Sequence, residues 1–272
     1  IHIGGGSLTV ENGTITGGTT GDGFNGGKGG GAFYVNNGGS ITVNNCILTG
    51  NRAEYGDAFY MKGGSATVNN TTITGTNKEG YALWLQGNND PKTSLTMNGG
   101  TISGFDWGAF VQGKSDLGTS EFTMNGGCIS DNKKGVRNEG PNSKIIISGD
   151  AIVSNNDDHN VELNDGIKVS VASALGENAD IGIYMNSSGE FTNSTDTTLN
   201  DASKFNSDNT NYAVGKNADG QLYLGTPVKV TYKVVNGTWS DDSTADKTET
   251  VQSGSKPASV PTGMKASEGY TG

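Results

Sequence analysis

One eleven-residue block, written six times, constrains this chain more than any other feature. It reads SLTVENGTITG from residue 7, SITVNNCILTG from 40, SATVNNTTITG from 65, SLTMNGGTISG from 94, EFTMNGGCISD from 121 and KIIISGDAIVS from 144. Successive copies start 33, 25, 29, 27 and 23 residues apart. A second block falls once in each interval: GGAFYV ending at Val35, GDAFYM at Met61, GYALWL at Leu85, then WGAFVQ and KGVRNE. That alignment sets Ala32, Ala58, Ala82, Ala109 and Val136 in equivalent places. Two motifs sharing one period mark a structural repeat.

Positions two and four of the first block are apolar in every copy, from Leu8 and Val10 to Ile145 and Ile147, and Thr stands between them in all copies but the last. Such alternation is a strand with one face inward. An Asn or Gly pair then makes a turn, and a second short strand points Ile15, Leu48, Ile73, Ile102, Ile129 and Ile152 inward. A unit of this size cannot bury its apolar face alone, so units must stack, each strand pairing in parallel with its equivalent. The expected fold is all-β, a single-stranded right-handed parallel β-helix. Stacking places equivalent residues about 4.8 Å apart. It predicts an Asn stack at Asn44, Asn69, Asn98 and Asn125, and Thr ladders at Thr9, Thr42, Thr67, Thr96 and Thr123 and at Thr16, Thr49, Thr74, Ser103 and Ser130. Length variation is expected in the loops Gly18–Gly29, Gly87–Thr93 and Gly113–Thr119.

Composition agrees. With 45 glycines, 5 prolines and 32% hydrophobic residues in 272, the chain is too Gly-rich for an ordinary helical or α/β domain. The register of its apolar residues argues for folding over disorder. A net charge of -10, with scattered Lys and Arg, makes nucleic acid an unsuitable partner. No apolar window approaches a membrane span, and the chain opens at Ile1 in repeat-like sequence without an export leader. A soluble fragment of a longer protein is expected, with no membrane insertion, and a monomer. Cys46 and Cys128 fall three coils apart, about 14 Å along the axis, beyond disulfide reach.

The β-helix is expected over residues 1–185. NVELNDGIKVSVASALGENADIGIYM reads as one or two further strands, and 186–226 as a terminal coil and cap, with FNSDNTNYAVGKNADGQLYLG as its hairpin-like end and NADG as the turn. Residues 227–272 lack the block and read as a second small β domain, incomplete at Gly272, with a polar loop from Ser240 to Lys247.

The GGAFYV and LTGN pairing at 30–51, repeated as GDAFYM with ITGT, resembles the Gly-Gly-Ala and Phe-x-x-Asn repeats of β-helical bacterial surface proteins, among them autotransporter passengers and chlamydial polymorphic membrane proteins. Leu48 stands where that motif has Phe. The tail from Val228, above all SGSKPASVPTGMKASEGYTG, resembles the Listeria and Bacteroides type β-repeat of Gram-positive surface proteins, without the Gly-Trp strand into which that family continues. Together these resemblances imply an exported, extracellular, wall-associated bacterial protein.

Three constellations are candidate sites. Tyr34, Tyr60 and Trp84 occupy equivalent positions in successive coils, and Phe33, Phe59, Leu83 and Phe110 form the neighbouring rank, with Arg137 continuing the Phe rank and Asn138 the Tyr and Trp rank. Alternation sends one rank out and one in. The outward rank is a row of flat apolar surfaces that suits sugar rings, set against the plainer reading of a ladder that only stacks or is covered by a loop. The Thr ladders could order water, but such irregular coils favour plain solvent-facing strands. Asp157, Asp158 and His159, near Asp150 and Glu162, are the nearest approach to a catalytic cluster, against the reading of a solvated loop. No metal or other cofactor is expected. The resulting expectation is a noncatalytic adhesin or carbohydrate-binding module, its partner a glycan or a host or matrix surface component. Its rivals are a β-helix polysaccharide lyase or glycoside hydrolase, and a structural spacer without ligand.

Overall fold

The structure, a computed structural model, describes residues 1–20, 29–164, 166–252 and 261–269. Each copy of the block forms two strands joined by a turn, and every strand lies beside its equivalent one repeat away. Leu8 pairs with Ile41, Ile41 with Ala66, Ala66 with Leu95, Leu95 with Phe122 and Phe122 with Ile145. The product is a parallel sheet of 18 strands wound into a right-handed β-solenoid of about 7 turns.

Three faces run the length of the solenoid. The first holds the AFYV-type strands, among them His2–Gly4, Tyr81–Gln86, Trp107–Gln112, Lys134–Glu139, His159–Leu163 and Asp180–Tyr184. The second holds the opening strand of each block, as in Ser7–Glu11, Thr93–Met97 and Val169–Leu175, and the third its closing strand, as in Thr14–Thr16, Ile47–Thr49 and Thr71–Thr74. Phe33–Asn44 and Phe59–Asn69 run unbroken from the first face into the second. At that corner successive coils almost touch: a Cβ on Gly39 would lie 2.3 Å from the Ile3 carbonyl oxygen, so only glycine fits.

Alternation puts one rank of each strand inside. Ile41, Leu95, Phe122 and Ile145 are at most 2% exposed, and each such burial stabilises the fold by about 1.5–3 kcal/mol. The first-coil equivalents Leu8, Val10 and Ile15 are only half-buried, since that coil is covered on one side. At the block turn, Asn12, Asn45 and Asn70 take φ of 52°, 50° and 46°, a left-handed geometry that asparagine tolerates. The residue before each turn builds the predicted amide stack. Asn69 donates to Asn44 at 2.7 Å, Asn98 to Asn69 at 2.8 Å and Asn125 to Asn98 at 2.9 Å. Glu11 and Ser148 end the ladder. Both Thr ladders stand in the expected register. Cys46 and Cys128 are free thiols.

Three details of the expected register need correction. Trp84 pairs with Phe110 and Leu83 with Ala109, so Phe110 belongs to the Tyr and Trp rank and Ala109 is not equivalent to Ala82. A slip of one residue moves a side chain to the opposite face of a strand. Arg137 accordingly continues the Tyr and Trp rank, while Asn138 continues the inner rank and is 0% exposed. In the last block, a bulge between Met124 and Gly126 shifts the pairing, so that Val153, not Ile152, lies beside Ile129 and faces inward.

The segment after the sixth block forms three strands, His159–Leu163, Val169–Leu175 and Asp180–Tyr184, all in the solenoid sheet. Phe205–Ser207 adds one more rung, pairing in parallel with residues 181–183, so the helix runs past residue 185. An antiparallel sheet of Gly189–Glu190, Leu222–Gly225 and Ala213–Lys216 then closes the end, with the turn at Asn217–Gly220 as expected. Phe191, Leu222 and Leu224, all 0% exposed, plug the open core there. Beyond it, Pro227–Tyr232 pairs antiparallel with Lys247–Gln252, and Gly237–Thr238 with Lys265–Ala266. Trp239, next after Thr238, is buried, its indole donating to the Ala245 carbonyl at 2.7 Å. Much of the SGSKPASVPTGMKASEGYTG stretch lies outside the described residues.

Candidate functional site

The register places His2, Tyr34, Tyr60, Trp84, Phe110, Arg137, Glu162 and Tyr184 in one outward rank along the first face. Rings follow at the spacing of the strands. His2 and Tyr34 stack at 4.9 Å, Tyr34 and Tyr60 at 5.1 Å with 11° between planes, and Trp84 and Phe110 lie 4.5 Å apart. Tyr55, from the turn leading into this face, and Tyr81, at the head of the Tyr81–Gln86 strand, meet Trp84 edge to face, both at 4.6 Å. These flanking rings leave Tyr60 9% and Phe110 6% exposed, whereas Tyr34 and Trp84 stay half-exposed. Gly29 is required here, since a Cβ on it would meet the Tyr60 ring at 2.2 Å. Phe33 and Phe59 are 0% exposed and belong to the core, which corrects their place among ligand-contacting residues.

Sequence reasoning missed a second outward rank. Two residues beyond the aromatic one on each strand stand Asn36, Lys62, Gln86, Gln112 and Glu139, paired in that order. The two ranks touch: Tyr34 accepts from the Asn36 amide at 3.0 Å, and the Tyr60 hydroxyl donates to Gln86. Burial pushes the Tyr60 hydroxyl up to about 12, with the Tyr34 and Tyr55 hydroxyls adding to the shift. It is therefore a neutral donor at any ordinary pH. The signal for this rank was present as an Asn, Lys or Gln two residues after Tyr34, Tyr60 and Trp84, but it carries meaning only once those strands are side by side.

Past Phe110 the rank turns ionic. The Arg137 guanidinium lies 5.6 Å from the Phe110 ring and 5.7 Å from Trp107, within reach of cation–π attraction. It approaches Glu162 at 3.8 Å and Glu139 at 3.9 Å. His159 sits 3.3 Å from Glu162 and stacks on Tyr184 at 3.5 Å. Of its sequence neighbours, Asp157 is paired with Lys78 at 2.6 Å and exposed, and Asp158 is exposed. The trio Asp157, Asp158 and His159 thus divides between an ion pair, solvent and packing against Glu162 and Tyr184 of the outward rank.

The carboxyl most altered by its surroundings is one the sequence did not mark. Asp57, 7% exposed, borders a hollow of ≈ 380 Å³ lined also by Arg52, Ala53, Glu79 and Gly80. Burial raises its pKa to about 6, against the pull of the Ala53 N–H, which donates to it at 2.8 Å, and of Arg52. Glu79 pairs with Arg52 at 2.5 Å. Among the described residues no group of three or more His, Cys, Asp or Glu side chains is placed to hold a metal ion, and no helix is long and apolar enough to cross a membrane.

Fold and site together define a right-handed parallel β-solenoid with adjoining aromatic and amide ranks on one face. No protein-family model, curated protein or solved structure matches the chain.

Proposed function

We propose that the chain is a noncatalytic carbohydrate-binding module of an exported bacterial surface protein, an adhesin whose first face lies along a glycan. One observation carries this reading: half-exposed rings at Tyr34 and Trp84 adjoin Asn36, Lys62, Gln86 and Gln112 in strand register. A pyranose has an apolar face and a rim of hydroxyls, so it needs a flat ring beneath it and donor–acceptor amides at its edge. The resemblance to autotransporter-type and Listeria-type repeats supports an extracellular, wall-associated place, with residues 227–272 as part of a stalk. The test is a glycan array probed with the 272-residue chain and with a Tyr34→Ala, Trp84→Ala double variant. Binding to a defined sugar class that the variant loses supports the proposal. Silence across the array from folded protein removes it and leaves the spacer.

A second reading, a glycoside hydrolase, draws on Asp57, whose pKa near 6 is in the range of a general acid. It requires Glu79, now engaged by Arg52, as the partner carboxylate. Turnover of any array-positive glycan that Asp57→Asn abolishes would favour it over simple binding.

A further inference from the structure

The second face changes character in the last coils. Through the first coils that face is plain: Ser7, Ser40, Ser65 and Ser94 form one outward rank, and Thr9, Thr42, Thr67, Thr96 and Thr123 another. Both ranks then change character. Glu121 and Lys144 follow the serines, and Ile146 and Ser170 follow the threonines. A groove of ≈ 700 Å³ opens at that point, walled by the turns at Gly140–Ser143 and around Ile167. Its volume is typical of sites for small ligands, about 300–1,000 Å³. The coincidence is independent of the groove itself: the repeat departs from its own pattern where the surface becomes concave.

We infer that this groove takes an anionic sugar unit, one carrying a carboxylate or a sulfate. Ile146, Ile167 and Pro141 give it an apolar lining, and the Ser170 hydroxyl, which donates to Asn193 at 2.7 Å, and the Asn193 amide line it as well. Lys144 supplies the charge. Its side chain is exposed and has no ion-pair partner within 4.0 Å among the described residues. The other charged groups of the groove are occupied: Lys168 holds Glu190 at 2.5 Å, and Lys92 approaches Glu121 at 3.4 Å. A neutral sugar would leave Lys144 idle, and a purely ionic ligand would leave the apolar lining unused. An anionic pyranose uses both.

The experiment is a calorimetric titration of the full chain with three probes: a glucuronate-containing tetrasaccharide, its carboxyl-reduced neutral counterpart, and the sulfated form of that counterpart. Either anionic probe is expected to bind about tenfold or more tightly than the neutral one, the gain of one charge-assisted contact. Preference for the carboxylate or for the sulfate identifies which group the groove takes. Lys144→Ala should erase that preference, and Lys144→Arg should keep it. Equal binding of the three probes, no binding at all, or an unaltered preference in Lys144→Ala overturns the inference. The proposed glycan-binding role of the first face stands or falls by the Tyr34→Ala, Trp84→Ala variant alone.

Discussion

The first four coils and the last three of this solenoid share one interior but wear different surfaces. Inside, Ile41, Leu95, Ile145 and Val169 belong to a single ladder and are all at most 2% exposed. Outside, aromatic rings and Ser or Thr ranks cover the early coils, while Arg137, Glu162, Lys144 and the groove mark the later ones. The interior has no freedom to diverge, because each side chain must fill the space left by its neighbours above and below. Outward positions pay no such penalty, so chemistry can change there from coil to coil while the backbone register holds.

That contrast can be broken most severely from within. Phe59→Ala in the early coils is expected to cost about 3–5 kcal/mol, and Ile145→Ala in the later ones about 2–5 kcal/mol, read by denaturant unfolding. If either proves silent, the two halves do not share one cooperative core. Next comes pH. Asp57 binds its proton more tightly in the folded chain, so its contribution is complete below the ordinary aspartate value of 3.8 and is lost as pH rises through about 6. Up to about 3 kcal/mol is involved. Unfolding measured at pH 4 and pH 8 should show the decline, and Asp57→Asn should flatten it.

A smaller difference separates a buried asparagine, Asn132, which donates to Asn156 of the next coil at 3.0 Å, from the exposed asparagine ladder. Asn132 is 0% exposed, accepts from the Phe105 N–H at 3.1 Å and donates to the Ile102 carbonyl at 3.1 Å. Its replacement by Ala should cost about 1–3 kcal/mol, because buried backbone groups lose their partners. Asn98 is exposed in that ladder, and Asn98→Ala should cost less than about 1 kcal/mol. Equal losses would mean that the outer stack matters as much as the buried asparagine. Smallest of all, Thr67→Ser on the solvent side should stay within about 0.5 kcal/mol.

Much of the fold was legible in the residues themselves. Period-2 alternation in each block named the inward Val, Ile and Leu positions, and the recurrence of the block dictated parallel stacking, the Asn44–Asn125 ladder and the Thr ranks. Local alternation says which residues share a face, and repetition says which face meets which. Neither says where one coil slips by a residue. Phe110 and Val153 were misplaced for that reason, since the pairing partner, not the string of letters, decides the register. The candidate site divides the same way. The aromatic row could be read from its recurrence, but its half-burial depends on Tyr55, from a separate turn, and Tyr81, at the head of its own strand, closing against Trp84. The amide rank, the raised pKa of Asp57 and the groove at Lys144 each arise from groups far apart in the chain. Periodicity determined what this protein would bury; the stacking of unequal coils alone decided what it would display, because concavity and desolvation belong to neighbours that no local pattern records.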